Sequence, residues 1–351
     1  MAMKNFEYAQ PTTEGEAVAL LTEPNKETAI LAGGTDLVGL MKRMVVTPDR
    51  VINIREINSL QQIETDESGN IWIGAAVCLD EFLDDQKTDE VPSAKQVIQG
   101  ISSIQLQSQG TFVGELLRRP TCWYFRDGYG LLADGGRIVN EGDNRYHAIL
   151  GNRGAAKFVN ASRLAPSLMT LGARVRIVGP GPNEELFLDL KDLYQTPDSD
   201  RNRENVLHPG QLVTHAIIPP HSNRLSASYE VRHGEGPDQP LAAAAVSMDV
   251  VSGKITNASI VLGQMAPVPW IASRAARSLC GKHITEDSAV TAGTDAVAGA
   301  MPLSQNEYKI ELAQVAVKRA VLKAAGYETG GLDGPMLNEP SSPSALDTSI
   351  V

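Results

Sequence analysis

Cysteine is scarce. Cys78, Cys122 and Cys280 are the only three, and no two have the spacing of a zinc site or a Cys-x-x-Cys redox pair. A disulfide framework is therefore not expected, and a reducing cytoplasm is the expected compartment unless a partner carrying an export signal takes the chain elsewhere. Residues 1–11 lack the basic start and apolar run of a secretory signal. The six histidines form no HxxxH or HxH pair, so a metal centre is not indicated. Basic runs are also missing. Lys plus Arg is 31 against 42 Asp plus Glu, a net charge of −11, which leaves no footprint for the phosphates of nucleic acid or for an anionic membrane surface. The longest apolar stretch, 241–251, is broken by Ser247 and Asp249 and is too short to span a bilayer, so direct membrane insertion is not expected either.

What is present is enough apolar sequence for real cores: 42% of 351 residues, a length that suggests two or three domains at about 150 residues each. The first segment reads as a βαβ unit. Phe6 and Tyr8 alternate as a strand, Thr12 and Thr13 can cap a helix running to Leu21, and Ala29 to Leu31 form a second strand. A second helix places Leu37, Leu40, Met41 and Met44 on one face, and residues 51–54 return as a strand. A larger segment follows, with strands predicted at 71–75 and 173–178. Between them, residues 99–154 are Gly-rich and weakly periodic, too long for an idle loop. Beyond Pro219-Pro220, runs 241–251 and 254–262 joined by Ser252-Gly253 read as a hairpin. Helices are expected at 271–280 and 307–325, the latter ending at Gly326, with Lys309, Lys318 and Lys323 away from its apolar face.

Three constellations could carry chemistry. Leu31-Ala32-Gly33-Gly34-Thr35-Asp36-Leu37 lies between a strand and a helix. Its glycines let the backbone turn sharply and remove Cβ atoms, so N–H groups at the helix start can meet an anion such as a diphosphate. The same pattern fits a tight turn with no ligand, and it matches neither GxGxxG nor the P-loop. Gly110-Thr111-Phe112-Val113-Gly114-Glu115 is a second Gly-bounded segment that could close on the same elongated nucleotide, or simply open a helix. Arg118 to Asp127 clusters aromatics between arginines in a chain only 5% aromatic, fitting a ligand wall, an interface or a satellite core. Cys122 within it has no base beside it in sequence and reads as a buried structural thiol. Asp143, Arg145 and His147 read as loop hydrogen-bonders.

These motifs, together with Gly142 to Leu150, Leu164-Ala-Pro166, Leu171-Gly-Ala173, His208 to Val213 and Leu262 to Pro267, occur in an order and spacing that resemble the FAD-binding medium subunits of the molybdenum hydroxylases. The resemblance covers residues 1–326. It implies an α+β fold in which a two-lobed FAD-binding α/β domain (PCMH-like) precedes a C-terminal domain of antiparallel sheet plus helices. The divisions expected are 1–58, 59–220 and 221–328, with an extended tail over 329–351. It implies that this chain holds FAD and passes electrons from the iron–sulfur clusters of a partner subunit to an acceptor. The implied partners are a large molybdopterin-binding subunit and a small [2Fe–2S] subunit, a dimer of heterotrimers being one assembly it allows. The cofactor-binding set it implies is Leu31, Ala32, Gly33, Gly34, Thr35, Asp36, Leu37, Gly110, Thr111, Gly114, Glu115, Val213 (near the flavin ring) and Arg232. No residue of this chain need act as a catalytic acid, base or nucleophile. Gly33→Val is expected to strip the flavin without unfolding the chain, by setting a Cβ against phosphate.

The chain departs from the family pattern at informative places. The second loop usually ends Gly-Gly-Asn; here it is Val113-Gly114-Glu115, preceded by bulky Phe112. The usual Ser-Asp-Leu-x-Pro is Ser162-Arg163-Leu164-Ala165-Pro166, and a basic strand near Tyr229 is thinned to Val231-Arg232-His233. These changes leave an alternative: a flavin-free structural subunit of such a complex. Some relatives carry a [4Fe–4S] cluster in an inserted loop. Residues 128–154 hold no cysteine for one, so no iron–sulfur cluster is expected in this chain.

Overall fold

Every strand expected from the sequence lies in one of three sheets. The computed structural model describes residues 3–329 apart from 182, 222–223 and 235, so the tail expected over 329–351 lies, but for residue 329, outside the described residues. The first lobe runs β1 (Glu7–Ala9), α1 (Glu14–Leu21), β2 (Thr28–Leu31), α2 (Leu37–Lys42) and β3 (Arg50–Asn53). Its three strands are parallel in the order β1-β3-β2, the arrangement that helical crossovers allow. Thr13 caps α1 by accepting from the Glu16 N–H at 3.2 Å. The second helix is shorter than its pattern predicts. It stops at Lys42, and Met44 sits in the left-handed region (φ 58°), 47% exposed.

The second lobe begins with β4 (Ile63–Thr65) and β5 (Ile71–Gly74). It then passes through α3 (Leu79–Asp84), α4 (Pro92–Gln99), α5 (Ile104–Gln109), α6 (Phe112–Leu116), α7 (Trp123–Arg126), α8 (Arg137–Glu141) and α9 (Leu164–Thr170). It closes with β6 (Arg174–Val178), β7 (Glu185–Asp189), α10 (Leu190–Leu193) and β8 (Leu212–Ile218). The strands form an antiparallel sheet, β4-β5-β8-β6-β7. The Gly-rich stretch 99–154 is thus a chain of short helices, none long enough to show a 3.6-residue period. One hydrophobic core serves both lobes, reaching from Ala17, Val18 and Ile52 to Phe82, Leu168 and Val213. A satellite core of Leu40, Phe125, Leu131, Leu132, Ala156 and Phe158 ties α2 to the aromatic segment.

The C-terminal part contains β9 (Leu225–Val231), β10 (Ala242–Val251), β11 (Lys254–Gly263), β12 (Trp270–Ile271), α11 (Ser273–Leu279), α12 (Glu286–Ala296) and α13 (Lys309–Ala324). The sheet is antiparallel, β12-β11-β10-β9, with helices packed on it. Ser252 (φ 52°) and Gly253 (φ 77°) make the tight hairpin turn expected from sequence. Two features differ from the sequence reading. Helix α12 was not foreseen, because its buried face is Ser288, Ala289, Ala292, Gly293 and Ala296, too weakly apolar to stand out. Lys309 is buried rather than solvated. Its Nζ donates to the carbonyls of Tyr146 (3.2 Å), His147 (3.1 Å) and Gln264 (2.7 Å), stitching the 146–147 loop to the C-terminal lobe. Burial pulls its pKa down to about 7. Among the described residues no helix is long and apolar enough to cross a membrane.

Candidate functional site

The end of β2, the start of α2, residues 110–119 and residues 203–213 converge on one cleft of about 530 Å³, within the ~300–1,000 Å³ usual for small-molecule and cofactor sites. Ala32 to Leu37 line it; Leu31, the last residue of β2, does not. The ladder with β3 ends at Leu31, Gly34 takes φ +70°, and α2 starts three residues later. Across that turn the backbone N–H groups of residues 33–37 donate to no acceptor among the described residues. Five successive free amides at a helix start form a concave donor surface suited to an anion.

Gly33 has a different task from the one expected of it. A Cβ there would lie 1.8 Å from the carbonyl oxygen of Gln109 and 3.1 Å from the Cα of Gly110. It would strike the second loop before any ligand. Gly33→Val therefore pries the loops apart rather than simply blocking a phosphate.

The second loop supplies shape more than donors. Thr111 caps α6, its Oγ1 accepting from Gly114 N–H at 3.3 Å; a Cβ on Gly114 would sit 2.6 Å from that oxygen. The N–H groups of Gly110, Phe112 and Glu115 are taken by the carbonyls of Leu106, Val77 and Thr111. Phe112 does not obstruct the cleft: it is fully buried and stacks on Phe82 with ring centroids 4.6 Å apart. Glu115 is in the cleft wall, but its carboxylate is tied back. Oε1 accepts from the Arg163 backbone N–H (3.1 Å), and Oε2 from Arg118 Nη1 (3.4 Å). Two departures from the family pattern thus meet each other, and neither Phe112 nor Glu115 plugs the site.

Charge around the cleft is mixed. Arg118 lines it with an Nε that has no acceptor among the described residues, and Arg203 lines it too. Arg119 is engaged with Glu204. Asp36 faces Arg126 and the Arg119 backbone. Val213, on β8, is buried and forms part of the wall. Arg232 does not line this cleft. Its guanidinium donates to the Gly100 carbonyl (2.6 Å) and pairs with Glu230 (3.3 Å) where the end of α4 meets β9. Arg203, Asn205 and residues 26–30 line the cleft without having been singled out. They carry no motif and arrive there only through the fold.

Cys122, which has no base near it in sequence, has one in space: His147 Nε2 lies 3.1 Å from its Sγ. The pair is nevertheless held neutral. Burial pushes the thiol up, and burial with the charge of Lys309 pulls the imidazole down to about 4. A thiolate nucleophile is disfavoured there, as the sequence reading expected.

A family model described as the FAD binding domain in molybdopterin dehydrogenase matches residues 4–221. A second, the CO dehydrogenase flavoprotein C-terminal domain, matches residues 227–324. The aldehyde oxidoreductase FAD-binding subunit PaoB of Escherichia coli K12 is 28% identical over 323 residues, 89% of this chain and 96% of that subunit. The carbon monoxide dehydrogenase medium chain of Afipia carboxidovorans is 27% identical over 326 residues, 91% of this chain and 96% of that one. A crystal structure of Cu,Mo-CO dehydrogenase in its cyanide-inactivated form has a chain sharing this fold. The TM-score is 0.73 at 24% identity, over 93% of this chain and 99% of that one.

Proposed function

Since the chain belongs to the FAD-binding medium subunits of the molybdenum hydroxylase family, as the flavoprotein component of an oxidoreductase, we propose that it binds FAD in this cleft. We propose further that it serves as the electron-transfer subunit between the iron–sulfur clusters of a partner and an acceptor. FAD, when bound, supplies the redox chemistry; the chain's residues bind it, orient it and exclude water. The observation that carries the reading is the row of amides at residues 33–37, which fits a diphosphate and has no partner among the described residues. Arg118, with an orphaned Nε on the same cleft, adds compensating charge. Gly110, Thr111 and Gly114 set the second wall, and Val213 contributes apolar surface for a ring. The partners that fit this role are a large molybdopterin-binding subunit and a small [2Fe–2S] subunit.

The flavin-free alternative loses its main support once Phe112 is in the core and Glu115 is tied to Arg163. The test is to purify the full chain with the subunits that accompany it, record its visible spectrum, and quantify nucleotide released on denaturation. One FAD per copy of this chain is expected. An assembly with intact molybdenum-dependent activity and no flavin overturns the proposal.

A further inference from the structure

Asp36 stands just before α2, where an aspartate ordinarily turns its carboxylate onto the amides of its own helix. It makes no such bond. Its Oδ2 accepts from the Arg119 backbone N–H at 3.0 Å, and its Oδ1 pairs with Arg126 Nη1 at 2.7 Å. Arg126 is itself fixed, its Nε donating to the Pro120 carbonyl (2.7 Å) and its Nη2 to the Arg119 carbonyl (2.8 Å). One guanidinium thus sets the 119–120 turn and the Asp36 carboxylate together, from outside the cleft lining. The pair is mostly buried, with side-chain exposures of 16% and 21%, so water screens it only partly.

The consequence follows from charge. Asp36 lies inside the run of free amides at 33–37. Released from Arg126, its carboxylate is free to turn back on the first turn of α2, where the Gly39 N–H also has no acceptor among the described residues. There it would satisfy donors meant for a ligand and repel an incoming diphosphate. Resting on the reading that this loop holds the diphosphate of FAD, we propose that Arg126 is a positioning residue for the cofactor: it draws the Asp36 carboxylate off the loop and neutralises it, leaving the amides to an external anion.

The test measures the affinity of the deflavinated full-length chain, with its accompanying subunits, for added FAD by flavin fluorescence, and thermal unfolding beside it. Arg126→Met is expected to weaken FAD binding by about tenfold or more. Arg126→Lys, which keeps the charge but not the fork, should recover part of the loss. The discriminating variant is Asp36→Asn in the Arg126→Met background. Removing the freed charge should restore most of the affinity, although it restores no lost contact of Arg126. A purely structural role for Arg126 predicts no such rescue. Should Arg126→Met fail to fold, the same comparison is made with Asp36→Asn in the Arg126→Lys background, where tighter binding than in Arg126→Lys alone is expected. FAD bound equally well by wild type and Arg126→Met, or no gain on adding Asp36→Asn, overturns this inference and leaves the cleft assignment standing. A wild-type chain with no affinity for FAD overturns both.

Discussion

Gly33 and Gly34 are neighbours under different constraints. Gly34 needs the left-handed backbone (φ +70°), so a Cβ there strains its own residue. Gly33 needs no special backbone; it needs room, because the carbonyl of Gln109 occupies the place of its Cβ. A backbone carbonyl cannot rotate aside as a side chain can. Gly33→Ala is therefore expected to cost about 1–3 kcal/mol in overpacking and to lower flavin content in the same variant. Gly34→Ala should cost about 1–2 kcal/mol while keeping the loops in contact. Chemical denaturation with flavin quantification checks both, and wild-type stability in Gly33→Ala would refute the close approach. Glu115 and Arg163 act as a pair. Read separately, each replaces a family residue with the wrong charge; in the fold the carboxylate of one receives the backbone N–H of the other.

Among the elements, the segment 142–150 and helix α13 depend on each other. Asn306 and Lys309 donate to the carbonyl of His147, and Asn144 accepts from the Gln305 N–H. His147 is buried within this contact, with no partner for Nδ1 among the described residues, and its pKa falls from the ordinary 6.5 to about 4, by burial first and the Lys309 charge second. The unfolded chain then takes up a proton at higher pH than the folded one. The stabilisation is complete above about pH 6.5 and is lost as pH falls toward 4. His221, also pulled to about 4 by burial, acts with the same sign. The urea midpoint is expected to drop between pH 7 and pH 5, and His147→Gln should flatten that slope by one histidine's share. An unchanged slope in that variant would show that His147 is not held neutral by burial. Here the sequence made the β10–β11 hairpin legible, because two apolar runs joined by a Ser-Gly turn are a local signal. It concealed α12, whose contact with α13 is made by alanine and glycine: a Cβ on Gly293 would sit 2.6 Å from the Gln314 carbonyl.

The whole molecule is joined where Arg163, from the second lobe, meets Glu230 on β9. The guanidinium and carboxylate are nearly inaccessible, 1% and 6% exposed, and make two hydrogen bonds, one of 2.8 Å. Arg232 pairs with the same carboxylate and with the Gly100 carbonyl at this junction, and it does not line the cleft. Glu230→Ala leaves Arg163 buried without its partner and is expected to destabilise the chain by about 3–5 kcal/mol, whereas Arg163→Met with Glu230→Met should recover part of the loss, Arg232 still lacking its carboxylate. Denaturation midpoints of the single and double variants decide it; a double variant no better than Glu230→Ala would mean that the junction needs the charges themselves. The sequence by itself determined the family, the α+β architecture and the glycine turn at a helix start over 33–37. All of these rest on spacing along the chain: motifs in a fixed order, glycines at a strand end, alternation in a strand. Only the tertiary structure decided that Arg126 reaches Asp36, that His147 reaches Cys122, that Lys309 is buried and that Arg232 leaves the cleft. The physical reason is that burial and hydrogen-bond satisfaction belong to pairs of groups far apart in sequence. A residue's type states what it can donate or accept, and the fold alone settles what it meets.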